Sequence, residues 1–178
     1  MARFMSASFR TVGNALVTQN LFTIWNGGSN RVVRVERLMY QMDATAVLTA
    51  VMPLVKTSRI TAAPTAGTVL VKALMDTSVA SHADIVVRGS TASDGGALTN
   101  VAATPGDVLW QQYGMRLHTA VGQVLTLDNN LLPTLVETMP VFLRLGEGLV
   151  VHIIAAAGTS NPASNHYVVA CAWDETLS

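Results

Sequence analysis

Short runs of β-branched and other apolar residues, bounded by Gly, Pro, Asn, Asp and Ser, follow one another along this chain. Such runs are typical of strands joined by turns. They predict strands over residues 21–25, 31–42, 47–60, 68–75, 85–89, 108–118, 140–145, 149–155 and 166–173. Turn signals such as "NGGSN" at 26–30 and "GTSNPASN" at 158–165 separate these runs.

A period of two along the runs supports this prediction. In "VFLRL" at 141–145, the odd-numbered residues share one face and the even-numbered residues share the other. Pro53 interrupts the run at 47–60, so an edge strand or a strand with a bulge is expected there. Residues 122–138 are expected to form a long connection. Many strands without an alternating helical rhythm predict an all-β fold, an antiparallel, jelly-roll-like β-sandwich.

The first residues of the chain differ in composition from the rest. They mix Arg3, Phe4, Phe9 and Arg10 with small residues, which favours an extended segment over a core strand. We therefore predict an extended N-terminal arm over residues 1–19 and a single β-sandwich domain over residues 20–178, a length that suits one domain. The four named residues are candidate contacts of this arm with a neighbouring subunit or a larger assembly.

Charge is scarce in this chain. Charged residues make up 12% and apolar residues 50%, whereas an ordinary soluble domain carries about 25% charge. Much of the surface is therefore expected to be covered by partners, first of all by copies of the same chain. The alternative is a surface built from exposed Thr, Ser, Asn and Ala. The zero net charge argues against a nucleic-acid partner, and no apolar stretch approaches the ~20 residues that span a bilayer.

No pattern of catalytic or cofactor-binding residues stands out. His82 and Asp84 form an H-x-D pair that could share one face of a strand, but no second cluster of metal ligands accompanies them. His152 lies inside an apolar run, where a hydrogen-bonded structural histidine is the favoured interpretation. Cys171 is the single cysteine and is expected to be a buried, inert thiol. The prediction is a protein that is not an enzyme, with no catalytic residues, no metal and no cofactor.

The three tryptophans, Trp25, Trp110 and Trp173, each lie near the end of a predicted strand. Rings at such positions can form a platform for sugars. Because aromatic residues are only 6% of the chain, core or interface anchors are the favoured interpretation. Trp25 is accordingly a candidate contact residue.

The stretch "RLGEGLVVHII" at 144–154 places two glycines around one glutamate. It lacks the third glycine, the lysine and the helix start of a phosphate-binding loop. Gly146 and Gly148 are expected to give backbone freedom to the turn of a hairpin, or to a turn between two successive strands. Glu147 would then project from the turn, either solvated or paired with an arginine across an interface, which makes it a candidate contact residue.

Four stretches carry a resemblance to a known group of proteins. They are "ALVTQNLFTIWNGG" (15–28), "DATAVLTAVMPLVKTSRITAAPTAGT" (43–68), "WQQYGMRLHTAVGQVLTLDNNLLP" (110–133) and "LRLGEGLVVHIIAAAGTSNPASNHYVV" (143–169). The chain resembles small virion structural proteins of tailed bacteriophages. The resemblance implies a capsid decoration or cement protein with a jelly-roll-like fold, forming a homo-oligomer, often a trimer, on the major capsid protein. It implies a location on the capsid surface of the virion, after synthesis in the host cytoplasm, and it assigns no functional residues.

Two other hypotheses remain open from the sequence. A tail, spike or head-fibre module that binds a host glycan requires an exposed groove beside the tryptophans. A depolymerase requires two acids, or a histidine and an acid, that converge in a pocket. The decoration hypothesis itself predicts that an N-terminal arm contacts a neighbouring subunit or the shell.

Overall fold

The computed structural model describes residues 2–8, 11–12, 19–28, 30–44, 54–75, 80–90, 101–113, 124–127, 140–154 and 165–177. The regular structure in these ranges consists of fifteen strands: β1 (Ala2–Ala7), β2 (Thr11–Val12), β3 (Gln19–Asn26), β4 (Arg31–Ala44), β5 (Leu54–Ile60), β6 (Thr65–Ala66), β7 (Thr68–Val69), β8 (Ala73–Leu74), β9 (Ile85–Gly89), β10 (Val101–Ala102), β11 (Val108–Tyr113), β12 (Val124–Leu127), β13 (Val141–Leu143), β14 (Glu147–Ile154) and β15 (Asn165–Leu177).

Two antiparallel sheets contain most of these strands. The first sheet has the order β12-β4-β15-β1-β8, with β13 also paired to β4 and β2 also paired to β15. The second sheet has the order β11-β5-β14-β3-β9-β7, and β10 pairs with β6 in a small ribbon. The longest strand pair of the first sheet is that of β4 with β15. It extends from Asn165 opposite Ala44 to Leu177 opposite Arg31.

The main core lies between the two sheets, and alternate residues of each strand fill it. The buried side chains include Val33, Val35 and Leu38 of β4, Tyr167, Val169, Cys171 and Trp173 of β15, and Leu149, Val151 and Ile153 of β14. The period-two pattern of the sequence is thus the pattern of inward-facing residues. Burial of one such large aliphatic side chain contributes about 1.5–3 kcal/mol. The prediction of an all-β antiparallel sandwich is confirmed, whereas a jelly-roll connectivity and an N-terminal arm are not.

A smaller apolar cluster lies on the outer face of the second sheet. Trp25, Ile60 and Val150 are buried there, with Ala103 packed against them. Residues 101–107 cross this face, held by the side-chain amide of Asn20, which donates to the carbonyls of Val101 and Ala103 at 3.0 and 2.9 Å. The outer face of this sheet is therefore partly covered by the chain itself.

The N-terminal residues 2–7 belong to the first sheet. Strand β1 lies between β15 and β8, and its register places Phe4 opposite Trp173. Phe4 is 1% exposed and belongs to the main core. An extended arm is therefore not confirmed for these residues, because β1 pairs with β15 and the Phe4 side chain packs in the main core. Phe9 and Arg10 lie outside the described residues.

The other predicted strands agree with the structure to differing degrees. The prediction at 85–89 coincides with β9, and the run at 68–75 is divided into β7 and β8 by residues 70–72. The prediction of a connection at 122–138 is wrong at Val124–Leu127, which pairs with β4 as β12. Pro53 and the first part of its run lie outside the described residues.

Candidate functional site

An exposed apolar segment closes one side of the sandwich. Residues 68–75, here named the edge segment, run from β7 at the edge of the second sheet to β8 at the edge of the first. Four of its side chains are largely exposed: Val69 (59%), Val71 (83%), Leu74 (44%) and Met75 (61%). An apolar group of this density on a surface is typical of a contact site.

The backbone of the edge segment is held firmly although its side chains face outward. Leu70 is 4% exposed, and its N–H donates to the carbonyl of Val87 at 2.9 Å. The hydroxyl of Ser6 donates to the carbonyl of Val71 at 2.8 Å, and the N–H of Met75 donates to the carbonyl of Arg3 at 3.0 Å. The exposed side chains therefore project from a fixed frame, which limits the entropy lost when a partner covers them.

Lys72 directs its charge away from this apolar surface. Its Nζ donates to the carbonyls of His82 and Ile85 at 2.7 and 2.8 Å. Burial lowers the pKa of Lys72, and the nearby carboxylates of Glu175 and Asp84 oppose that shift. The one charged side chain of the edge segment is thus hydrogen-bonded within the same chain.

Three other apolar side chains are exposed away from the edge segment: Val108 (46%), Phe142 (50%) and Leu145 (57%). Val108 belongs to β11 at the edge of the second sheet, whereas Phe142 belongs to β13, which pairs with β4 of the first sheet. Leu145 lies in the turn that follows β13. These three side chains therefore lie on different elements, and the edge segment is the larger exposed apolar group of the described residues.

The glycine-flanked turn that carries Leu145 joins the two sheets. Strand β13 pairs with β4 of the first sheet, whereas β14 pairs with β3 and β5 of the second. The hairpin alternative is therefore wrong, and the alternative of two successive strands is confirmed. Gly146 has a φ of 75°, and a Cβ on Gly148 would lie 2.5 Å from the carbonyl oxygen of Ile24. Each glycine is required for a different reason, one for its backbone angle and one for close packing.

Glu147 is held within its own chain. Its carboxylate accepts a hydrogen bond from the N–H of Arg144 at 2.8 Å and lies 3.6 Å from the guanidinium of Arg59. Both members of the ion pair are about one third exposed, so the pair contributes on the order of 1 kcal/mol or less. The arginine that pairs with Glu147 thus belongs to the same chain, and a pairing across an interface stays a prediction.

Arg3 is the most exposed of the candidate contact residues that the structure describes, at 61%. Its Nε lies 3.4 Å from Asp174, which is 1% exposed, and its other nitrogen lies 3.8 Å from Glu36. Arg34 lies 3.9 Å from the same Asp174. Two arginines thus compensate two carboxylates on the outer face of the first sheet, next to the edge segment.

The tryptophans do not form a shared platform. Trp25 is 8% exposed and Trp173 is fully buried, while Trp110 is partly buried against the main core. Trp25 is therefore a core anchor of the outer cluster and not an exposed contact. The two buried indoles offer no ring face to a sugar.

His82 and Asp84 lie in the turn before β9 and not on a strand. The His82 Nδ1 is 3.4 Å from the Asp84 carboxylate. The main tether of this turn is Glu175, whose carboxylate accepts hydrogen bonds from the Ser81 hydroxyl at 2.5 Å, the His82 N–H at 2.9 Å and the Trp173 indole at 3.1 Å. Within the described ranges, no group of three or more His, Cys, Asp or Glu residues could hold a metal ion.

Sequence reasoning missed a buried pair between Ser58 and His152. The hydroxyl of Ser58 and the Nε2 of His152 are 3.0 Å apart, on the neighbouring strands β5 and β14. Burial lowers the pKa of His152 to about 4, and Lys56 contributes to the same shift. The imidazole is therefore neutral at pH 7 and could accept a proton.

The geometry of this pair does not favour nucleophilic chemistry. Ser58 and His152 are 0% and 4% exposed, so the hydroxyl does not face solvent. The Nδ1 of His152 has no hydrogen-bond partner in the described part of the chain, where a hydrolase triad places an orienting acid. No sequence signal could have revealed the pair, because it depends on which strands are neighbours.

Cys171 and His166 are both buried in the fold. Burial raises the pKa of the Cys171 thiol, and the side chain is fully buried. His166 is 6% exposed, and His118 lies outside the described residues. The described ranges contain no helix with the length and apolar character needed to cross a membrane.

Comparison with known proteins finds no match to any family model, curated protein or solved structure. The exposed surface of the chain is therefore the basis for its proposed function.

Proposed function

We propose that this protein is a structural component of a bacteriophage virion, a capsid decoration protein that associates with copies of itself and with the major capsid protein. The observation that carries the proposal is the edge segment, whose Val69, Val71, Leu74 and Met75 side chains are exposed on a fixed backbone. Surfaces of this kind are stable in water when other protein chains cover them. The resemblance in the sequence supplies the virion setting.

A decoration protein acts by binding, and this chain has the features that binding requires. Its edge segment presents Val71 at 83% exposure from a fixed backbone. Burial of one such side chain contributes about 1.5 kcal/mol or more. On a repeating shell, several such contacts in one oligomer add to a large avidity. The expected oligomer is a trimer that sits between capsomers and reinforces their boundaries.

The N-terminal residues contribute to binding in a different way from the one that the sequence predicts. Residues 2–7 lie in the first sheet, so Phe4 does not reach a neighbour. Arg3 remains exposed beside the edge segment and can contribute a rim contact. The contacts with other chains are therefore assigned to the sides of the folded domain.

Binding to shells tests the proposal. Heads of the encoding phage, prepared without this protein, are mixed with the purified chain, and the bound copies are counted after sedimentation. We expect saturable binding with a fixed number of copies per head. Val71→Asp should lower the affinity at least about tenfold, since it places a charge in an apolar contact. Thr104→Asp, at an exposed position on residues 101–107, is the matched control. Failure of the wild-type chain to sediment with the heads would exclude the proposal.

A further inference from the structure

We propose that ordered water molecules bind between the second sheet and residues 101–107, which cross its outer face and are here named the cover segment. The residues that hold these waters are four polar side chains of the sheet, each with a buried atom that needs a hydrogen-bond partner: Asn20, Thr23, Arg88 and His152. The site lies within a single chain, so it goes beyond the proposed function and does not depend on it.

The strand registers place the four side chains next to one another on one face of the sheet. Arg88 of β9 lies opposite Thr23 of β3, and Thr23 lies opposite Val150 of β14. Val150 belongs to the apolar cluster of the outer face, so this row points away from the main core. His152 follows Val150 by two residues on the same face of β14, and it lies opposite Asn20.

One atom of each side chain is buried without a hydrogen-bond partner within the described residues. These atoms are Oδ1 of Asn20, Oγ1 of Thr23, Nε of Arg88 and Nδ1 of His152. Thr23 is 0% exposed and His152 is 4% exposed, so bulk solvent does not reach them. Buried polar groups of native proteins are nearly all bonded to protein or to ordered water, because an unpaired group destabilises the fold.

The chemistry of the four atoms selects water over an ion. The side-chain nitrogen of Asn20 donates to two carbonyls of the cover segment, so its Oδ1 is an acceptor. The Nη1 of Arg88 donates to the carbonyl of Ala66 at 3.0 Å, and its Nε is a further donor. The hydroxyl of Thr23 can donate or accept. A single ion satisfies only donors or only acceptors, whereas water satisfies both.

Thr57 of β5 provides a contrast within the same sheet. It is 0% exposed, and its Oγ1 also lacks a partner among the residues that the structure describes. Thr57 lies opposite Val151 and Trp110, which pack in or against the main core, so its side chain faces apolar groups. A buried water needs about two to four polar partners. We therefore expect the surroundings of Thr57 to be dry.

Replacement of each threonine by valine, which has nearly the same shape, tests the site in the full-length chain. Thr23→Val should lower the midpoint of thermal unfolding by about 2–4 °C, because a bound water loses one of its partners. Thr57→Val is the matched control and should keep or raise the midpoint, because it removes a buried hydroxyl that has no partner. An unchanged or higher midpoint for Thr23→Val would overturn the proposal.

A second measurement detects the waters themselves and does not depend on stability. Magnetic relaxation dispersion of the water signal counts long-lived internal waters of a protein in solution. The wild-type chain and Thr57→Val should contain the same number, and Thr23→Val should contain fewer. A high-resolution crystal structure of the wild-type chain should place these waters beside Thr23. A site without water in that structure, or equal numbers in all three chains, would show that the proposal is wrong.

Discussion

The ring of Phe4 in the first strand stacks on the indole of Trp173 in the last strand, with ring centroids 5.8 Å apart and an angle of 30° between the planes. Both side chains are at most 1% exposed. The contact joins β1 to β15 inside the main core, so the start of the described chain contributes to the stability of the domain.

Replacement of Phe4 by alanine should therefore destabilise the domain. Loss of a buried phenylalanine costs about 3–5 kcal/mol, from lost burial and the cavity that remains. Phe142→Ala is the matched control, because Phe142 is 50% exposed and its truncation should cost less than about 1 kcal/mol in the isolated chain. Urea unfolding followed by tryptophan fluorescence measures both values. Equal losses for the two variants would show that Phe4 does not lie in the core.

Deletion of residues 1–9 tests whether these residues form a core strand or an extended arm. It removes β1, and with it the pairing to β15 and β8. We expect the truncated chain to lose cooperative unfolding, as measured by calorimetry. A truncated chain with wild-type stability would restore the arm hypothesis.

The buried His152 should make stability depend on pH. Its pKa is about 4 in the folded chain, against 6.5 for an ordinary histidine. Between these values the unfolded chain binds the additional proton, so the free energy of unfolding rises with pH. As the pH falls from 6.5 to 4, this group should remove on the order of 2–3 kcal/mol.

His152→Gln provides the comparison for this effect, because glutamine remains neutral across the same range. The difference in unfolding free energy between wild type and variant should favour wild type more at pH 7 than at pH 4. Urea unfolding at several pH values gives this difference. A constant difference from pH 7 to pH 4 would contradict the burial of His152.

The two glycines around Glu147 should respond differently to substitution by alanine. At Gly148 an added Cβ would meet the carbonyl of Ile24 and the side chains of Ile60 and Trp25 within 2.9 Å, so we expect a loss of about 2–3 kcal/mol or more. At Gly146 an added Cβ meets nothing within 4 Å, and the positive φ alone should cost about 1 kcal/mol. Thermal unfolding ranks the two variants, and the reverse order would contradict the crowding at Gly148.

Glu175 should be a stabilising residue although it is charged. It is 5% exposed and accepts three hydrogen bonds, two from Ser81 and His82 in the turn before β9 and one from the Trp173 indole. Glu175→Ala should cost about 3 kcal/mol, since it leaves buried donors without a partner. Glu36→Ala is the control, because its ion pairs of 3.8 Å lie near the surface and contribute less than about 1 kcal/mol. Similar losses in chemical unfolding would contradict the tether.

The sequence predicts strand positions well wherever one face of the strand is apolar. Alternation at 141–143 and at 166–173 follows the inward residues of β13 and β15, because period two is a property of the strand itself. It fails at Leu145, which lies in the turn after β13 and is 57% exposed. The sequence pattern cannot predict which strands pair. A hairpin is therefore compatible with the sequence at Gly146, although the turn there connects the two sheets. The small residues of β1 give a weak apolar pattern, so the sequence does not predict this strand.

The candidate site was only partly predictable for the same reason. The apolar run predicts a strand at 68–75, but its position at the outer edge depends on the order of strands in both sheets. Phe4 is predicted as a contact because it lies in the expected arm, and Trp25 because aromatic residues are common in interfaces, whereas both are buried in the fold. Ser58 and His152 are distant in sequence and meet only because β5 and β14 are neighbours.

A cryo-EM map of the intact phage particle tests the central claim most directly. We predict density for this two-sheet domain at regular positions on the head shell, with the edge segment of each copy covered by a neighbouring protein chain. A shell that the major capsid protein explains completely, with this chain absent from the particle or confined to the tail, would contradict the account.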